Sequence, residues 1–397
     1  MMKTAAQKIV GMNGDEAVAF AAKQSDVDVV AAYPITPQTI IVERFSDYVA
    51  NGEVDTQFVC VESEHSALSA CVGSSLAGSR VFTATSSQGL ALMHEVLYLA
   101  SGLRTPMVMA VVNRALSAPI NIHNDHSDMM GSRDCGWIQV YAENAQEAYD
   151  WTLQAFRISE DHRVLLPITV NLDGFTISHA MEGVSVLEDE EVRKFVGKRS
   201  PLYKLDIDKP MTFGPLALPD YYSEFKRQQV EAMKQASSVI AEMTDEFKRT
   251  SGRQYSSLST SGLEGAEAAI ICMGSIAGTA RTVASKLRTQ GKKVGVVKVS
   301  QYRPFPTEEI ANLLSRLKAV GVIDRAVSFG APYGALCSDV ASTKVLRGLD
   351  TKLFNVICGL GGRDVTASDI EGIFDAALRY SKGNPIEALV SFVGVRE

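Results

Sequence analysis

Three polar side chains in this sequence follow apolar stretches, at points where a strand would end and a loop begin. They are Thr36, Glu64 and Arg114. In an α/β sheet, ligands bind outside the carboxyl ends of the strands, so we expect these side chains to converge on one rim. A hydroxyl, a carboxylate and a guanidinium gathered there would suit a small anionic substrate beside a base.

Two of these side chains, Thr36 and Glu64, also have a purely structural interpretation. Pro34 and Pro37 restrict the backbone around Thr36. This restriction would present the Thr36 hydroxyl accurately to a ligand, but it is equally typical of a rigid connection in which the threonine faces solvent. Glu64, like its neighbour Glu62, would lie in the first turn of a helix, where the helix dipole favours a carboxylate without any function. The local pattern alone leaves both interpretations open.

The loop from residue 113 to 136 is long and polar, and loops of this length inside a compact domain are usually functional. Its side chains His123, Asp125, His126 and Asp128 suggest a metal site, but their spacing matches no standard zinc or calcium frame. We therefore predict no metal site in this chain. We interpret the loop as a hydrogen-bonded wall beside a polar substrate.

Three further loops contain glycine next to small or polar residues. They are Thr85–Leu90, Gly274–Thr279 and Gly359–Asp364. The first could admit a ligand close to its backbone, but we favour N-capping of the following helix by Ser86 or Ser87. The second offers a helix N-terminus to an anion, but we favour tight packing of helix on sheet as the reason for its glycines. The third resembles a phosphate loop only loosely, because the G-x-G-x-x-G spacing is not met.

These loops need a sheet whose strands alternate with helices. Over roughly the first 175 residues, short apolar runs alternate with amphipathic stretches, which predicts a parallel sheet covered on both faces. The expected strands are Val27–Ala31, Gln57–Val61, Val81–Ala84, Met107–Val112, Trp137–Val140 and Leu166–Val170, and the expected helices are Gly14–Lys23, Thr39–Ala50, Ser63–Ala77, Gly89–Ala100 and Ala145–Ser159. We assign this α/β domain to residues 1–181.

In the second part of the chain the composition changes, and then strands and helices alternate again. Residues 182–262 combine charged runs with a proline-rich segment, and we interpret them as a connector that packs over the domains and contains one long helix at about 221–249. Its apolar residues are too frequent for a flexible tether. From residue 263 to 397 strands and helices alternate again, which predicts a smaller α/β domain with its own core.

Length, composition and charge exclude several classes of protein. A chain of 397 residues is too long for one ordinary core, and 46% apolar with 21% charged residues is a globular mixture. The net charge of −7 argues against nucleic acid as a partner, because binding it would need a basic face. No apolar stretch is long enough to span a membrane, and residues 1–8 lack the apolar core of a secretory signal, so we expect a cytoplasmic protein.

The cysteines are widely spaced and form no C-x-x-C pair, so we do not expect this chain alone to build a zinc or iron–sulfur site. They are Cys60, Cys71, Cys135, Cys272, Cys337 and Cys358. Cys60 and Cys272 lie in apolar strands, where we expect them to be buried as small hydrophobic residues. Reduced thiols fit a cytosolic protein.

Seven segments of the sequence together carry a family resemblance. They are Tyr33–Pro37, Glu62–Glu64, Thr85–Leu90, Asn113–Pro119, Asn171–Phe175, Gly274–Ser275 and Gly359–Thr366. In this order they resemble the α subunit of 2-oxoacid:ferredoxin oxidoreductases, most closely the pyruvate:ferredoxin (flavodoxin) type, or pyruvate synthase. The resemblance implies a thiamine-enzyme pyrimidine-type doubly wound domain followed by a smaller transketolase C-terminal-like α/β domain. It covers nearly the whole chain and favours the functional interpretation of the three side chains.

The resemblance implies a role for each of them. Glu64 aligns with the glutamate that hydrogen-bonds N1′ of the thiamine pyrimidine and thereby activates the cofactor. Arg114 aligns with the arginine that binds the substrate carboxylate, for which a planar, two-pronged cation is well suited. Thr36 aligns with the threonine that contacts the substrate near its carbonyl and carboxylate.

The resemblance also implies that this chain is one part of a larger enzyme. In the family a β subunit binds the diphosphate of thiamine diphosphate, Mg²⁺ and a [4Fe–4S] cluster, and γ and δ subunits complete the complex, with two further clusters on δ. This chain lacks both the G-D-G…N signature for magnesium diphosphate and the cluster cysteines, as expected of half an active site. The implied reaction converts pyruvate and coenzyme A to acetyl-CoA and CO₂, passes electrons to ferredoxin or flavodoxin, and is reversible.

The resemblance leaves the identity of the 2-oxo acid open. Many relatives place tryptophan where His123 stands, in a loop that would line the substrate pocket, and branched-chain 2-oxo acid enzymes share most of the motifs. Oxalate is disfavoured because an oxalate-acting relative would carry arginine in place of Thr36. A 2-oxoglutarate enzyme would need a second cation, and none is assignable. A non-catalytic α/β scaffold that never binds thiamine diphosphate is the alternative from another class.

Overall fold

The computed structural model describes residues 5–396, whose strands form two large sheets and one small one. The strands are β1 (Gln7–Met12), β2 (Val29–Ala32), β3 (Gln57–Cys60), β4 (Val81–Thr85), β5 (Val108–Asn113), β6 (Ile138–Tyr141), β7 (Ile168–Asp173), β8 (Glu182–Leu187), β9 (Leu258–Ser261), β10 (Ala268–Cys272), β11 (Val294–Val299), β12 (Gln301–Arg303), β13 (Ala319–Asp324), β14 (Lys352–Ile357) and β15 (Val390–Phe392).

Helices separate most of these strands in the described part of the chain. They are α1 (Gly14–Gln24), α2 (Thr39–Ala50), α3 (Glu64–Leu76), α4 (Ser87–Leu92), α5 (His94–Gly102), α6 (Ser127–Gly131), α7 (Ala145–Glu160), α8 (Asp189–Val196), α9 (Pro219–Ser251), α10 (Ile276–Thr289), α11 (Thr307–Leu314), α12 (Ala335–Leu346) and α13 (Ala367–Ser381). The α/β class predicted from the alternating pattern is confirmed.

The first sheet has seven strands in the order β12-β6-β7-β5-β4-β2-β3. All neighbouring pairs are parallel except β12 with β6. Every residue of β5 and β7 is buried, which explains why the Val-rich sequence of β5 shows no polar alternation. Because β5, β4, β2 and β3 are neighbours and parallel, the loops at their carboxyl ends share one edge of the sheet.

The second sheet has six strands in the order β15-β14-β13-β10-β11-β9. It is parallel except for the antiparallel edge strand β9. The short strand β12 comes from this half of the sequence but pairs with β6 of the first sheet. The three residues of β12 show no strand-like alternation, so this pairing could not be predicted from the sequence. The pairing joins the two halves of the chain.

The connector holds more regular structure than the single long helix that we expected. The long helix α9 is present, but strand β8 pairs antiparallel with β1, and the short helix α8 precedes α9. The first of the charged runs forms α8, whose Val192, Phe195 and Val196 are buried. The expectation of one helix between residues 182 and 262 was therefore wrong, because a short amphipathic helix was masked by its acidic first turn.

Two local expectations in the first domain were also wrong. The expected helix Gly89–Ala100 is divided into α4 and α5, which meet at Met93, where neither proline nor glycine marks the break. Cys60 is exposed rather than buried, because β3 is the edge strand of its sheet. In residues 5–396, no helix has the length and apolar character needed to cross a membrane.

Candidate active site

The structure places Thr36, Glu64 and Arg114 at the same edge of the first sheet. Thr36 lies in the loop after β2, Glu64 is the first residue of α3 after β3, and Arg114 directly follows β5. Strand order then sets their arrangement, with the loop after β4 between the Arg114 loop and the Thr36 loop. Thr36 and Arg114 are in direct contact, whereas Glu64 belongs to a neighbouring part of the rim.

Arg114 is buried, and its guanidinium is held by two backbone carbonyls. Nη1 donates to the carbonyl oxygen of Thr36 at 2.8 Å, and Nε donates to that of Asn121 at 3.1 Å. Burial lowers the pKa of Arg114, although the nearby Asp128 carboxylate acts in the opposite direction. Two carbonyls use only part of the five donors of a guanidinium, so the group retains donors for an anion.

Glu64 is a charged residue type at a largely buried position. It opens α3, whose N-cap Ser63 accepts a hydrogen bond from the backbone N–H of Ser66. Only 6% of Glu64 is exposed, and its carboxylate forms no hydrogen bond or ion pair with any residue that the structure describes. The nearby Glu62 is exposed and accepts a hydrogen bond from the hydroxyl of Ser66, so the two glutamates have different environments.

The carboxylate of Glu64 rests against the start of α4. A Cβ placed on Gly89 would lie 2.7 Å from Oε1 of Glu64 and 2.5 Å from Oγ1 of Thr85, so only glycine fits between them. Oγ1 of Thr85 is buried and has no hydrogen-bond partner in the described residues. We did not single out Thr85 from the sequence. Glu64 and Thr85 thus present two neighbouring polar groups without a hydrogen-bond partner in the described residues, and of the two only the Thr85 hydroxyl is fully buried.

The serines of the Thr85–Leu90 loop tie this loop to the end of β5. Ser86 is the N-cap of α4, but its hydroxyl accepts no hydrogen bond from the helix and donates to the carbonyl of Val112 at 2.7 Å. Ser87 donates from its hydroxyl to the carbonyl of Ala115 at 2.7 Å. The expected side-chain N-cap is therefore wrong for Ser86, whose side chain is turned towards the adjacent strand β5. Neither serine hydroxyl is left for an anion.

The polar loop after β5 is buried in large part and folds back on protein groups. Asp125 accepts hydrogen bonds from Ser127 and, through Oδ2, from the backbone N–H of Gly361 at 3.2 Å. The ring of His123 packs on Phe175 with centroids 4.8 Å apart. The loop contains the short helix α6, which the sequence did not reveal.

Asp173, at the end of β7, is the centre of a buried ionic cluster between the two domains. Its carboxylate lies 2.5 Å from Nη1 of Arg325 and 2.9 Å from both Nε2 of His126 and the backbone N of Ser275. Burial alone would raise the pKa of Asp173, but Arg325, His126 and Ser275 outweigh it and hold the pKa well below its ordinary range. The N-terminus of α10 thus receives an anion, and that anion is the carboxylate of Asp173.

The glycine-rich loop of the second domain docks against the first domain. Asn121 donates to the carbonyl of Gly361 at 2.9 Å, and the N–H of Gly362 donates to the carbonyl of Asn124 at 2.6 Å. A Cβ on Gly362 would lie 2.4 Å from Cβ of His123, so the glycine permits close contact between the domains. The glycines Gly361 and Gly362 therefore serve close packing against the loop after β5.

Comparison with known proteins gives two family matches that together cover most of the chain. Residues 20–245 match the family described as pyruvate flavodoxin/ferredoxin oxidoreductase, thiamine diP-bdg. Residues 266–370 match the family described as pyruvate:ferredoxin oxidoreductase core domain II.

Several relatives with assigned names align over almost their full length. Pyruvate synthase subunit PorA of Thermotoga maritima is 50% identical over 98% of each chain. The subunit of the same name from Methanocaldococcus jannaschii is 47% identical over 92% of this chain and 93% of its own. Ketoisovalerate oxidoreductase subunit VorA of Pyrococcus abyssi is 44% identical over 91% of each.

Two solved structures share the fold. A 2-oxoglutarate:ferredoxin oxidoreductase from Magnetococcus marinus, with 2-oxoglutarate, coenzyme A and succinyl-CoA bound, superposes with a TM-score of 0.71 at 20% identity. The match covers 92% of this chain but only 65% of that longer chain. A split-gene transketolase, in an inactive β4 tetramer, gives a TM-score of 0.56 at 14% identity over 93% and 99% of the two chains. The predicted relation to thiamine enzymes is confirmed at the level of the fold.

The family resemblance inferred from the short segments is likewise confirmed. The matched regions include the edge that bears Thr36, Glu64 and Arg114 and the second domain that docks beside it. This chain belongs to the pyruvate flavodoxin/ferredoxin oxidoreductase family.

Proposed function

We propose that this chain is the α subunit of a thiamine diphosphate-dependent enzyme that oxidatively decarboxylates pyruvate. Coenzyme A receives the acetyl group, CO₂ is released, and ferredoxin or flavodoxin receives the electrons; the reaction also runs in reverse as pyruvate synthesis. Relatives named pyruvate synthase subunits, at 50% and 47% identity, support this assignment. The single observation that carries it is the position of Glu64, a residue only 6% exposed at the start of α3, whose carboxylate has no hydrogen-bond donor in the described residues.

The residues present fit the pyrimidine half of thiamine diphosphate. The carboxylate of Glu64 has no donor among the described residues, and a protonated ring nitrogen of a bound ligand would supply that hydrogen bond. When bound, thiamine diphosphate supplies a carbon nucleophile for the 2-oxo carbon and an electron sink for decarboxylation. Glu64 would hold the shared proton at its Oε atoms, with the backbone of Gly89 limiting how far the carboxylate can turn.

Arg114 and Thr36 would hold the substrate. The two carbonyls that bind Arg114 fix the plane of its guanidinium, so the remaining donors are already oriented towards a carboxylate and less entropy is lost on binding. Thr36 is exposed at the same place and would contact the substrate near its carbonyl. Burial of the arginine strengthens its attraction to an anion, because water screens the charge less there.

We propose that partner subunits complete the site. The relatives named above are themselves designated subunits, and this sequence has neither the magnesium-diphosphate signature nor grouped cysteines. A β subunit would bind the diphosphate, Mg²⁺ and a [4Fe–4S] cluster, and γ and δ subunits would complete the complex. We propose the cytoplasm as its location, which the six dispersed cysteines fit.

The test is a substrate panel on the complex reconstituted with its β partner and loaded with thiamine diphosphate and Mg²⁺. Pyruvate, 2-oxobutyrate, 2-oxoisovalerate and 2-oxoglutarate are each assayed with coenzyme A and a low-potential acceptor. We expect the highest kcat/KM with pyruvate. A preference for 2-oxoisovalerate would instead support the branched-chain enzyme, to whose subunit VorA the chain is 44% identical. Turnover of none of the four acids would support a scaffold without catalysis.

A further inference from the structure

Asp128 lies beneath the residues that we have placed in the active site. It is the second residue of α6, and only 3% of it is exposed. Its carboxylate accepts four hydrogen bonds, three from backbone N–H groups and one from a side-chain amide. The donors are Ser87 N, Arg114 N, Met129 N and Asn113 Nδ2.

Three of these four donors come from outside α6. Oδ2 lies 3.1 Å from the backbone N of Ser87 and 3.0 Å from that of Arg114, and Oδ1 lies 2.9 Å from Nδ2 of Asn113. An aspartate that only stabilised the start of its own helix would bond to amides of that helix, and Met129 alone supplies one, at 2.7 Å. An ionised carboxylate has about four acceptor positions, so the four donors occupy all the acceptor positions of the Asp128 carboxylate.

The two backbone segments joined by Asp128 carry the two halves of the proposed site. Arg114 is fixed through its own N–H, which sets the origin of the side chain that reaches Thr36. Ser87 opens α4, and two residues later Gly89 lies against the carboxylate of Glu64. One buried carboxylate therefore contacts both the segment that orients the guanidinium and the segment that supports the glutamate.

We propose that Asp128 is a positioning residue that fixes the distance between Glu64 and Arg114 by joining the loop after β4 to the loop after β5. The inference rests on the proposed function, in which the glutamate acts on the cofactor and the arginine binds the substrate carboxylate. The substrate is held by Arg114 and reacts beside the cofactor at Glu64, so the reaction requires the correct distance between these two residues. Loosening either loop should therefore affect both substrate binding and turnover.

The first measurement compares Asp128→Asn with Asp324→Asn in the assembled, cofactor-loaded complex. Asp324 is a matched control, because it is also 3% exposed and accepts bonds from the backbone N–H groups of Leu336 and Cys337 and from Nδ2 of Asn355, but in the second domain. In either variant the new amide group faces an N–H donor and loses a bond. We expect Asp128→Asn to lower kcat/KM for pyruvate by about 10- to 100-fold, with KM raised and kcat lowered, and Asp324→Asn to change neither.

The second measurement does not depend on the reaction. Hydrogen–deuterium exchange of the same complexes should show faster exchange in residues 86–90 and 113–116 for Asp128→Asn alone. Unchanged exchange in both segments would overturn the proposal, and so would an equal loss of kcat/KM in the two variants. If the wild-type complex turned over no 2-oxo acid while the exchange difference persisted, the proposed function would fail and the joining of the two loops by Asp128 would stand.

Discussion

The guanidinium of Arg114 donates to the backbone carbonyl of Thr36 at 2.8 Å, which anchors a side chain from the loop after β5 on the loop after β2. The bond passes over the carboxyl end of β4, which lies between those strands. Because the acceptor is a backbone atom, the hydroxyl of Thr36 is not used for this contact. Arg114 and Thr36 therefore form one unit, in which the position of either residue depends on the other.

Arg114→Lys should raise KM for pyruvate and lower kcat, with a combined loss in kcat/KM of about 10- to 100-fold. Lysine keeps the charge but cannot bind two carbonyls and a carboxylate from one planar group. Steady-state kinetics of the complex measures this. Arg104→Lys is the matched control, because Arg104 also binds two backbone carbonyls, of Leu165 and Val164, but lies before β5 at the other end of the strand. Unchanged kinetics in Arg114→Lys would contradict its proposed role.

Glu64→Gln should reduce kcat by about 100- to 10,000-fold while the subunits still assemble, because the amide cannot exchange a proton with the cofactor ring. Steady-state turnover and size-exclusion chromatography measure the two effects. Glu62→Gln serves as the control, since Glu62 is exposed and two residues away. Full activity of Glu64→Gln would remove the proposed route of cofactor activation.

Gly89→Ala should abolish turnover by displacing Glu64, because the added Cβ would lie 2.7 Å from Oε1 and 2.9 Å from Cγ of that side chain. Gly73→Ala is the control, because a Cβ on Gly73 of α3 would meet no atom within 4 Å. In a helix interior that change should raise the free energy of unfolding by about 0.5–1 kcal/mol without affecting activity. Activity assays of both variants measure turnover, and thermal denaturation measures the change in stability. Normal turnover in Gly89→Ala would show that the position of Glu64 is not critical.

Asp15→Asn should stabilise the protein at neutral pH by about 1–3 kcal/mol. Asp15 is fully buried and neither carboxylate oxygen has a hydrogen-bond partner in the described residues, the nearest cationic group being Nδ1 of His179 at 3.9 Å. Burial, with Glu16 nearby, raises the pKa of Asp15 well above the ordinary value. A folded state that retains this proton loses stability as pH rises above the pKa of the unfolded aspartate, about 4. Asparagine removes that loss, so the advantage of the variant should grow with pH.

Denaturation of wild type and Asp15→Asn at about pH 5 and about pH 8 measures the difference in slope. Asp150→Asn is the contrasting variant, because Asp150 is equally buried but bound by Arg253 at 2.6 and 2.8 Å. Loss of that carboxylate should cost about 3 kcal/mol, since it leaves the half-buried Arg253 without its charge partner. Parallel pH profiles for wild type and Asp15→Asn would contradict the buried, protonated state of Asp15.

The sequence revealed those parts of the fold and site that depend on local pattern. Val-rich strands without polar alternation predicted a sheet buried on both faces, and β5 is buried throughout. Glu64 and Arg114 were found because each follows a strand, and strand ends in a parallel sheet share an edge. Their proximity to one another depends on strand order, which no local pattern encodes.

Other features arise only from tertiary contacts and left no local signal. The hydroxyl of Thr85 matters because Gly89 lies beside it, and the four donors of Asp128 come from segments up to 41 residues away in sequence. The exposure of Cys60 follows from the edge position of β3, which cannot be read from an apolar run. The three residues of β12 join a sheet formed by the other half of the chain.

The cluster around Asp173 has a consequence for protein engineering. Its carboxylate comes from the first domain, whereas Ser275 and Arg325 come from the second, so neither half satisfies the cluster alone. A chimera made by grafting the second domain of a relative onto this first domain would have to retain serine and arginine at those two sites. A graft without them would leave the Asp173 carboxylate at the seam with only His126 and a backbone N–H as partners, however similar the two parents were elsewhere.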